Sequence, residues 1–166
     1  NNGPGAWDDM WTFDGTNWTA VTSARLPPKR FGHAMVASPL LVVTGGVTPG
    51  TSSNDMWRFD GANWNAVMPA QQAGQRNWPV VAFDADRRRH VLHGGGSTPR
   101  TDSVEFDGST WLTRLTTGGP SVTFTAAAYD SVRGVTVAFG GTTTGNRNAA
   151  TAETWIYGAV RPGSTK

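Results

Sequence analysis

The apolar residues of this chain fall into short, β-rich segments that are bounded by turn residues. This pattern is typical of β-strands. In the best-preserved stretch it predicts four strands, labelled A to D, at residues 31–37, 40–44, 56–59 and 64–67. Strand B is almost continuously apolar, which indicates a strand covered on both faces. Strand C alternates instead, and this alternation places Trp57 and Phe59 on one face.

A motif of Phe-Asp-Gly followed by Trp recurs along the chain and sets the length of a repeat. Its three copies, spaced by 46 and 47 residues, begin at Phe13, Phe59 and Phe106. Glycine pairs at 45–46, 94–95 and 140–141 recur with steps of 49 and 46 residues. One unit is therefore about 46 residues long and supplies four strands.

Sheets of this kind must stack, because a four-stranded sheet cannot bury both faces alone, and radial stacking gives a β-propeller. The units divide the chain into a partial blade at 8–22, complete blades at 26–67 and 72–115, a partial blade at 120–157 and a C-terminal tail at 158–166. The first partial blade holds strands C and D, and the last holds A, B and C. The sequence therefore predicts an all-β propeller segment of about three four-stranded antiparallel blades, with 13 strands.

Three stretches of the first complete unit carry a family resemblance. They are Arg-Phe-Gly-His-Ala-Met at 30–35, Gly-Gly at 45–46 and Asn-Asp-Met-Trp-x-Phe-Asp-Gly-x-x-Trp at 54–64. Over residues 8–157 the chain resembles the bacterial kelch repeat. The resemblance implies a kelch-type propeller with strand A innermost, a fold used mostly for binding and by a minority of enzymes. The second and third units depart from the pattern around Trp78 and Phe124, so we expect the channel lining to differ between blades.

About three blades are too few to close a ring, since propellers typically have four to eight. Open blade faces and strand edges associate with other chains. We therefore expect another chain to complete the ring, either a second copy or the remaining part of the same precursor. The chain begins within a repeat, which favours a longer precursor. Two copies would give six blades if the partial blades merge, and eight if they stay separate.

Composition and charge exclude several classes of partner. The net charge is +2 and the arginines are scattered, so the chain has no basic stripe for nucleic acid. No apolar run approaches the roughly 18 residues that a membrane span requires. The absence of cysteine excludes disulfides, thiolate nucleophiles and cysteine-based zinc sites.

The sequence predicts no catalytic residue, metal or cofactor. Carboxylates recur in the three Phe-Asp-Gly motifs, and identical turns on separate blades would hold them too far apart to act as a pair. His90 and His93 are three residues apart on a predicted strand, so we expect them on opposite faces. Only two glutamates, Glu105 and Glu153, are present.

The eight tryptophans divide into two groups. Six recur at equivalent positions of the repeat, and we expect them to pack between blades: Trp11, Trp18, Trp57, Trp64, Trp111 and Trp155. Trp7 and Trp78 break the period, so they are candidates for contact with a partner. Trp7 is a possible interface residue.

The B–C connections differ in length and chemistry while the strands around them keep their period. Because strands run alternately up and down, the B–C and D–A loops share one face of the propeller, and variable loops on a rigid scaffold carry function. The candidate ligand-binding residues on this face are Arg30, Asn54, Gln75, Arg76, Trp78, Arg100, Asn146, Arg147 and Asn148. Arg30 and Arg76 are repeat-equivalent, which slightly favours a structural role for them.

Three functional hypotheses follow. The first is a non-catalytic binding or scaffold module that takes a protein or glycan ligand on the B–C and D–A face. The second is a fragment of a secreted carbohydrate-active or oxidative enzyme whose catalytic groups lie outside this chain. The third is a self-assembling structural subunit. The resemblance also implies export, so we expect an extracellular or cell-surface location in a bacterium.

Overall fold

The computed structural model describes residues 6–115, 118–146 and 148–158, apart from the side chains of Ser38 and Leu115. Within these ranges the chain forms 15 strands and no helix, so no described element is a helix that could cross a membrane. The strands are β1 (Trp11–Phe13), β2 (Trp18–Ala20), β3 (Ala34–Ser38), β4 (Leu40–Thr44), β5 (Val47–Thr48), β6 (Thr51–Ser52), β7 (Met56–Phe59), β8 (Trp64–Val67), β9 (Val80–Asp84), β10 (Arg89–His93), β11 (Ser103–Phe106), β12 (Trp111–Leu115), β13 (Ala126–Asp130), β14 (Val135–Phe139) and β15 (Thr154–Tyr157).

The strands pair into four blade sheets and one small hairpin. The first sheet is β1-β2, the complete sheets are β3-β4-β7-β8 and β12-β11-β10-β9, and the last sheet is β13-β14-β15. Neighbouring strands are antiparallel throughout. The fold is therefore all-β, with antiparallel four-stranded sheets arranged as propeller-like blades, as the sequence predicted. We refer to the four sheets as blades 1 to 4.

Strands B, C and D of blade 2 lie at the residues predicted from the repeat, as β4, β7 and β8. The prediction for strand A was wrong at its start, because β3 begins at Ala34 rather than at residue 31. Phe31 pairs with Val47 instead, and Gly32 turns the chain with a φ of 61°. The hairpin β5-β6 inside the B–C connection was not predicted, and it raises the described strands from 13 to 15.

The A strands β3, β9 and β13 contact one another from blade to blade, so they are innermost. Pro79 directly precedes β9, where its missing N–H removes no bond from the ladder. The D strands β8 and β12 are at the outer edge. The segments that lead into the A strands therefore converge at the centre of the blade array.

The core lies between blades. Between blades 1 and 2, Phe59 and Trp64 form an apolar cluster with Met10 and Val21. Between blades 2 and 3, the corresponding cluster contains Phe106, Trp111, Met56 and Val67. Each junction thus joins an aromatic face of one blade to an aliphatic face of the preceding blade, and burial of these side chains supplies most of the stabilisation.

The periodic tryptophans follow the predicted pattern only where both faces of a junction are present. Trp64 and Trp111 are buried, and Trp57 and Trp155 are half-buried. Trp11 and Trp18 occupy equivalent positions in blade 1 but are exposed. Their prediction as core residues is therefore wrong for the described structure, because no blade covers their face.

The Phe-Asp-Gly motifs form C–D turns in all three blades that carry them, as predicted. In blade 2, Oδ1 of Asp60 accepts hydrogen bonds from the backbone N–H groups of Ala62 and Asn63, at 2.9 and 2.8 Å. Gly61 follows with a φ of 101°, in the left-handed region that favours glycine. These backbone hydrogen bonds lower the pKa of Asp60. The aspartates are therefore turn residues.

Candidate functional site

An arginine at the entry to blade 2 braces the connection between strands B and C. Nη1 and Nη2 of Arg30 donate to the two carboxylate oxygens of Asp55, both at 2.7 Å. Nη1 also donates to the carbonyl of Gly45 at 2.9 Å, and Nε donates to that of Pro28 at 3.0 Å. Oδ2 of Asp55 accepts a further bond from the Trp57 indole.

The same brace recurs in blade 3. Arg76 is buried, and its two Nη groups donate to Asp102 at 3.1 and 2.5 Å. Its remaining bonds reach the carbonyls of Gly94 and Ala73. Both candidate arginines, Arg30 and Arg76, therefore bind inside their own blades and do not present guanidinium groups to the loop face. The partners lie 25 and 26 residues after each arginine, a repeated spacing that sequence reasoning missed.

Blades 1 and 4 depart from this arrangement. In blade 4, Val122 stands at the arginine position and Glu153 at the aspartate position. The indole nitrogen of Trp155 has no hydrogen-bond partner among the described residues, whereas that of Trp57 has Asp55. In blade 1, Asp9 accepts a bond from Trp11 at 2.7 Å. The full brace is thus present only in the two complete blades of the described chain.

Arg100 is the one candidate arginine that the structure places at the surface among those it describes. Its side chain is 44% exposed, and it donates to Asp102 from Nε at 2.8 Å. Burial alone would raise the pKa of Asp102, but hydrogen bonds from Arg100 and Arg76 outweigh burial and hold that pKa well below its usual range. Arg100 therefore shares a carboxylate with a buried arginine while its own side chain stays partly in solvent.

Three aromatic rings form a row where the D–A connections converge. The ring centroid of Trp78 lies 5.7 Å from that of Phe31 and 4.6 Å from that of Phe124. Phe31 is exposed, and the other two side chains are half-buried. Each ring comes from a different blade, just ahead of its A strand. The aperiodic Trp78, which sequence analysis singled out, is at the centre of the row.

Backbone geometry holds this aromatic row in place. Gly32, Trp78 and Phe124 occupy the same position in successive blades, and all three have positive φ, at 61°, 47° and 58°. The N–H of Trp78 donates to the carbonyl of Gly32 at 2.6 Å, and the N–H of Phe124 donates to that of Trp78 at 3.4 Å. A Cβ on Gly32 would lie 2.8 Å from the Trp78 ring. Only glycine in blade 2 leaves room for that ring.

Asn77 ties two B–C connections together beside the row, and sequence analysis did not identify it. Its Nδ2 donates to Oγ of Ser52 at 3.2 Å and lies 3.5 Å from Oγ of Ser97. The side chain is buried, and its Oδ1 has no hydrogen-bond partner among the described residues. The signal available in the sequence was the departure of Asn77-Trp78-Pro79 from the Phe-Gly-His of blade 2.

The B–C connection of blade 4 reaches the same region. A Cβ on Gly145 would lie 2.8 Å from the carbonyl of Ser97, so this loop packs closely against the B–C loop of blade 3. Asn146 and Asn148 are exposed, and Oδ1 of Asn146 accepts a bond from the Asn148 N–H. Arg147 lies outside the described residues. The B–C loops of three blades therefore meet around the aromatic row.

The remaining candidates differ in exposure. Gln75 is exposed and Asn54 is half-buried, and both precede a brace residue by one position in the sequence. Trp7 is 72% exposed, and its carbonyl accepts a bond from the N–H of Arg30 at 3.1 Å. Trp7 therefore lies near the D–A entry of blade 2, away from Trp78.

A charged cluster lies at the junction of blades 3 and 4. Glu105 is buried and accepts bonds from Arg87 at 2.6 Å, Arg114 at 2.9 Å and the Tyr157 hydroxyl at 3.0 Å. Burial and the neighbouring Glu105 carboxylate raise the pKa of Tyr157 to about 12. This cluster satisfies Glu105 and anchors β15 to blade 3.

The histidines of β10 have separate surroundings, as their spacing predicted. His90 stacks against Phe83 and Phe106, while His93 contacts Ser103 and the carbonyl of Pro120 on the other face. Burial lowers the pKa of His93. Within the described ranges, no three His, Cys, Asp or Glu side chains form a group that could hold a metal ion.

Comparison with known proteins supports the fold and leaves the family open. A scan of family models and a search of curated proteins each gave no match. Among solved structures, the chain is similar to that of YjhT, with a TM-score of 0.70 and 15% sequence identity. The likeness covers 90% of this chain and 48% of YjhT, so this chain spans about half the length of that protein. At this identity the similarity shows the fold alone.

Proposed function

We propose that this chain is a non-catalytic binding module of the kelch type, with a protein or glycan ligand on the B–C and D–A face. The observation that carries the proposal is the row of Phe31, Trp78 and Phe124. Non-glycine residues with positive φ cost about 1–3 kcal/mol each and are found most often at functional sites. Two such residues here bring aromatic rings together where the loops of three blades meet.

The surroundings of the row have the composition of a binding surface. Aromatic rings supply contact area at little entropic cost, and nearby amides supply directional hydrogen bonds. The amide side chains of this face are Asn54, Gln75, Asn77, Asn146 and Asn148. Arg100 adds a positive charge at the edge of the surface. Such a surface suits the apolar face of a sugar ring or an apolar side chain on a protein loop.

The state of the carboxylates favours binding over catalysis. Asp55, Asp102 and Glu105 are each held by arginine. The carboxylates of the Phe-Asp-Gly motifs accept backbone N–H bonds in turns. A carboxylate stabilised in its charged form has a depressed pKa and is poorly suited to proton transfer near neutral pH. We place the protein outside the cell or on a bacterial cell surface, as the kelch resemblance implies.

The proposal is tested by finding a ligand and then removing the row. A glycan array and a pull-down with the whole chain identify the ligand. Trp78→Gly then restores the residue that blade 2 has at this position. Relief of positive-φ strain offsets the lost stacking of about 0.5–1.5 kcal/mol per pair, so we expect stability within about 1 kcal/mol of the parent. Affinity should fall at least about tenfold, or about 1.4 kcal/mol.

A second variant and a control separate this face from the opposite one. Arg100→Ala should weaken binding and keep the unfolding midpoint, because the Arg100 side chain is 44% exposed. Arg88→Ala, in the A–B turn on the opposite face, should leave affinity unchanged. Normal binding by the Trp78 and Arg100 variants, or loss of binding in the Arg88 variant, would contradict the proposed face.

A further inference from the structure

Every junction inside the chain joins two different apolar faces. The later blade contributes an aromatic face, which in blade 3 includes Phe106 and Trp111. The earlier blade contributes an aliphatic face, which in blade 2 includes Met56 and Val67. Each complete blade therefore has one face of each kind, and a stack of blades has one unused face at each end.

The unused face of blade 1 is aromatic. Phe13 and Trp18 stack with centroids 5.1 Å apart, which matches the 5.2 Å between Phe106 and Trp111 of blade 3. Trp11 lies on the same face, because it and Phe13 are two residues apart on β1. The three side chains are 51–66% exposed, whereas Trp111 is 2% exposed. Blade 1 thus presents a preformed junction face with nothing packed on it among the described residues.

The unused face of blade 4 is the complementary kind. Ile156 pairs with Val137 across β14 and β15, and Phe139 lies two residues further along the same face. Phe139 and Ile156 are each 58% exposed. The equivalent position of Val137 in blade 2 is Val42, which is buried by blade 3. The two ends of the described chain are therefore the two halves of one repeating junction.

We propose that two copies of this chain associate head to tail, with the aromatic face of blade 1 in one copy packed on the Phe139 and Ile156 face of blade 4 in the other. The contact continues the geometry of the junctions already present within the chain. Its driving force is apolar burial, since large aromatic side chains bury roughly 150–250 Å² each. Two such junctions close a ring of two copies around a two-fold axis, with no change in either partial blade.

The test measures the mass of the chain in solution. Light scattering coupled to size exclusion should give about twice the monomer mass of 17.6 kDa. Trp18→Glu and Ile156→Glu should each give monomers with an unchanged far-ultraviolet circular dichroism spectrum, because both side chains are exposed in a single copy. Val132→Glu is the control: Val132 is 70% exposed in an A–B turn, and this variant should keep the mass of the parent.

Mixing the two disruptive variants distinguishes a head-to-tail contact from other modes of association. Each variant retains one intact face, and the two intact faces are complementary. An equimolar mixture should therefore form a dimer through one junction, although neither variant dimerises alone. A folded parent at the monomer mass, as expected if further repeats of a longer polypeptide cover these faces, would overturn the proposal. So would a parent dimer that survives both substitutions, or a mixture that stays monomeric.

If a variant loses its fold, the parent still decides the question. Burial of Trp18 at the junction should shift tryptophan emission to shorter wavelength as the concentration rises through the dissociation constant. Emission that does not depend on concentration, in a sample whose mass is that of one copy, would count against the contact.

Discussion

Replacing Arg76 by Met should expose the energetic role of the brace in blade 3. Met keeps much of the apolar volume and removes the charge and all donors. Asp102 then keeps only Arg100, whose side chain is 44% exposed. The carbonyls of Gly94 and Ala73 also lose the donors that Arg76 provides at 2.9 and 3.1 Å.

The expected cost follows from burial. Removing one partner of a buried ion pair typically costs about 3–5 kcal/mol, because the remaining charge is left without compensation. Arg100 still offers Asp102 partial compensation, so we expect the lower end, about 3 kcal/mol. In a chain of this size 1 kcal/mol shifts Tm by roughly 2–4 °C, which gives a decrease of about 6–12 °C. Arg100→Met removes an exposed partner of the same carboxylate and should cost about 0–1 kcal/mol.

Urea denaturation and thermal unfolding of the parent and both variants measure these differences. Asp102 has a lowered pKa in the folded state, so the brace stabilises the fold above the unfolded pKa of about 3.9 and loses this effect as the pH falls further. The gap between Arg76→Met and the parent should therefore be constant from neutral pH to about pH 4–5 and narrow below it. Equal costs for the Arg76 and Arg100 variants, or a cost below about 1 kcal/mol for Arg76→Met, would refute the reasoning.

Two further predictions concern a turn and a tyrosine. Gly61→Val should destabilise the fold by more than about 1 kcal/mol through backbone strain alone, since Gly61 has a φ of 101° and no atom within 4 Å of an added Cβ. An unchanged urea midpoint would remove this explanation of the C–D turns. Tyr157 should titrate near pH 12 by phenolate absorbance, and Glu105→Gln should lower that pKa. Because the folded pKa is raised, the contribution of Tyr157 to stability is present below about pH 10 and is lost as the pH rises towards the folded value, and titration at the ordinary value would contradict the bond to Glu105.

The repeat made most strand positions predictable. Strands β4, β7 and β8 lie where periodicity and alternation placed them, because turn residues fix both ends of each segment. The start of strand A was missed because Gly32 has positive φ and breaks the strand. The residues before it read as β-formers, and their pairing with Val47 depends on a loop in another part of the unit.

The site was less predictable, because its parts meet only after the blades pack. Trp78 could be singled out as aperiodic, but its neighbours Phe31 and Phe124 come from other blades. The roles of Arg30 and Arg76 depend on aspartates 25 and 26 residues away, and repeat-equivalence gave only a weak indication of a structural role. Periodicity likewise identified Trp11 and Trp18 as equivalent to core residues but carried no information about whether a neighbouring face covers them.

The two proposed surfaces depend on different physical terms, so they can be separated by experiment. The loop face relies on positive-φ backbone at Trp78 and Phe124, which interblade hydrogen bonds and stacking of the rings offset. The junction faces carry no such strain and rely on apolar side chains that the repeat positions for burial, such as Trp18 and Ile156. A substitution that changes backbone strain at the centre should leave the outward faces of blades 1 and 4 unaltered, because no described contact links Trp78 to either. Loss of ligand binding without a change in mass, and loss of the dimer without a change in the aromatic row, are therefore independent results.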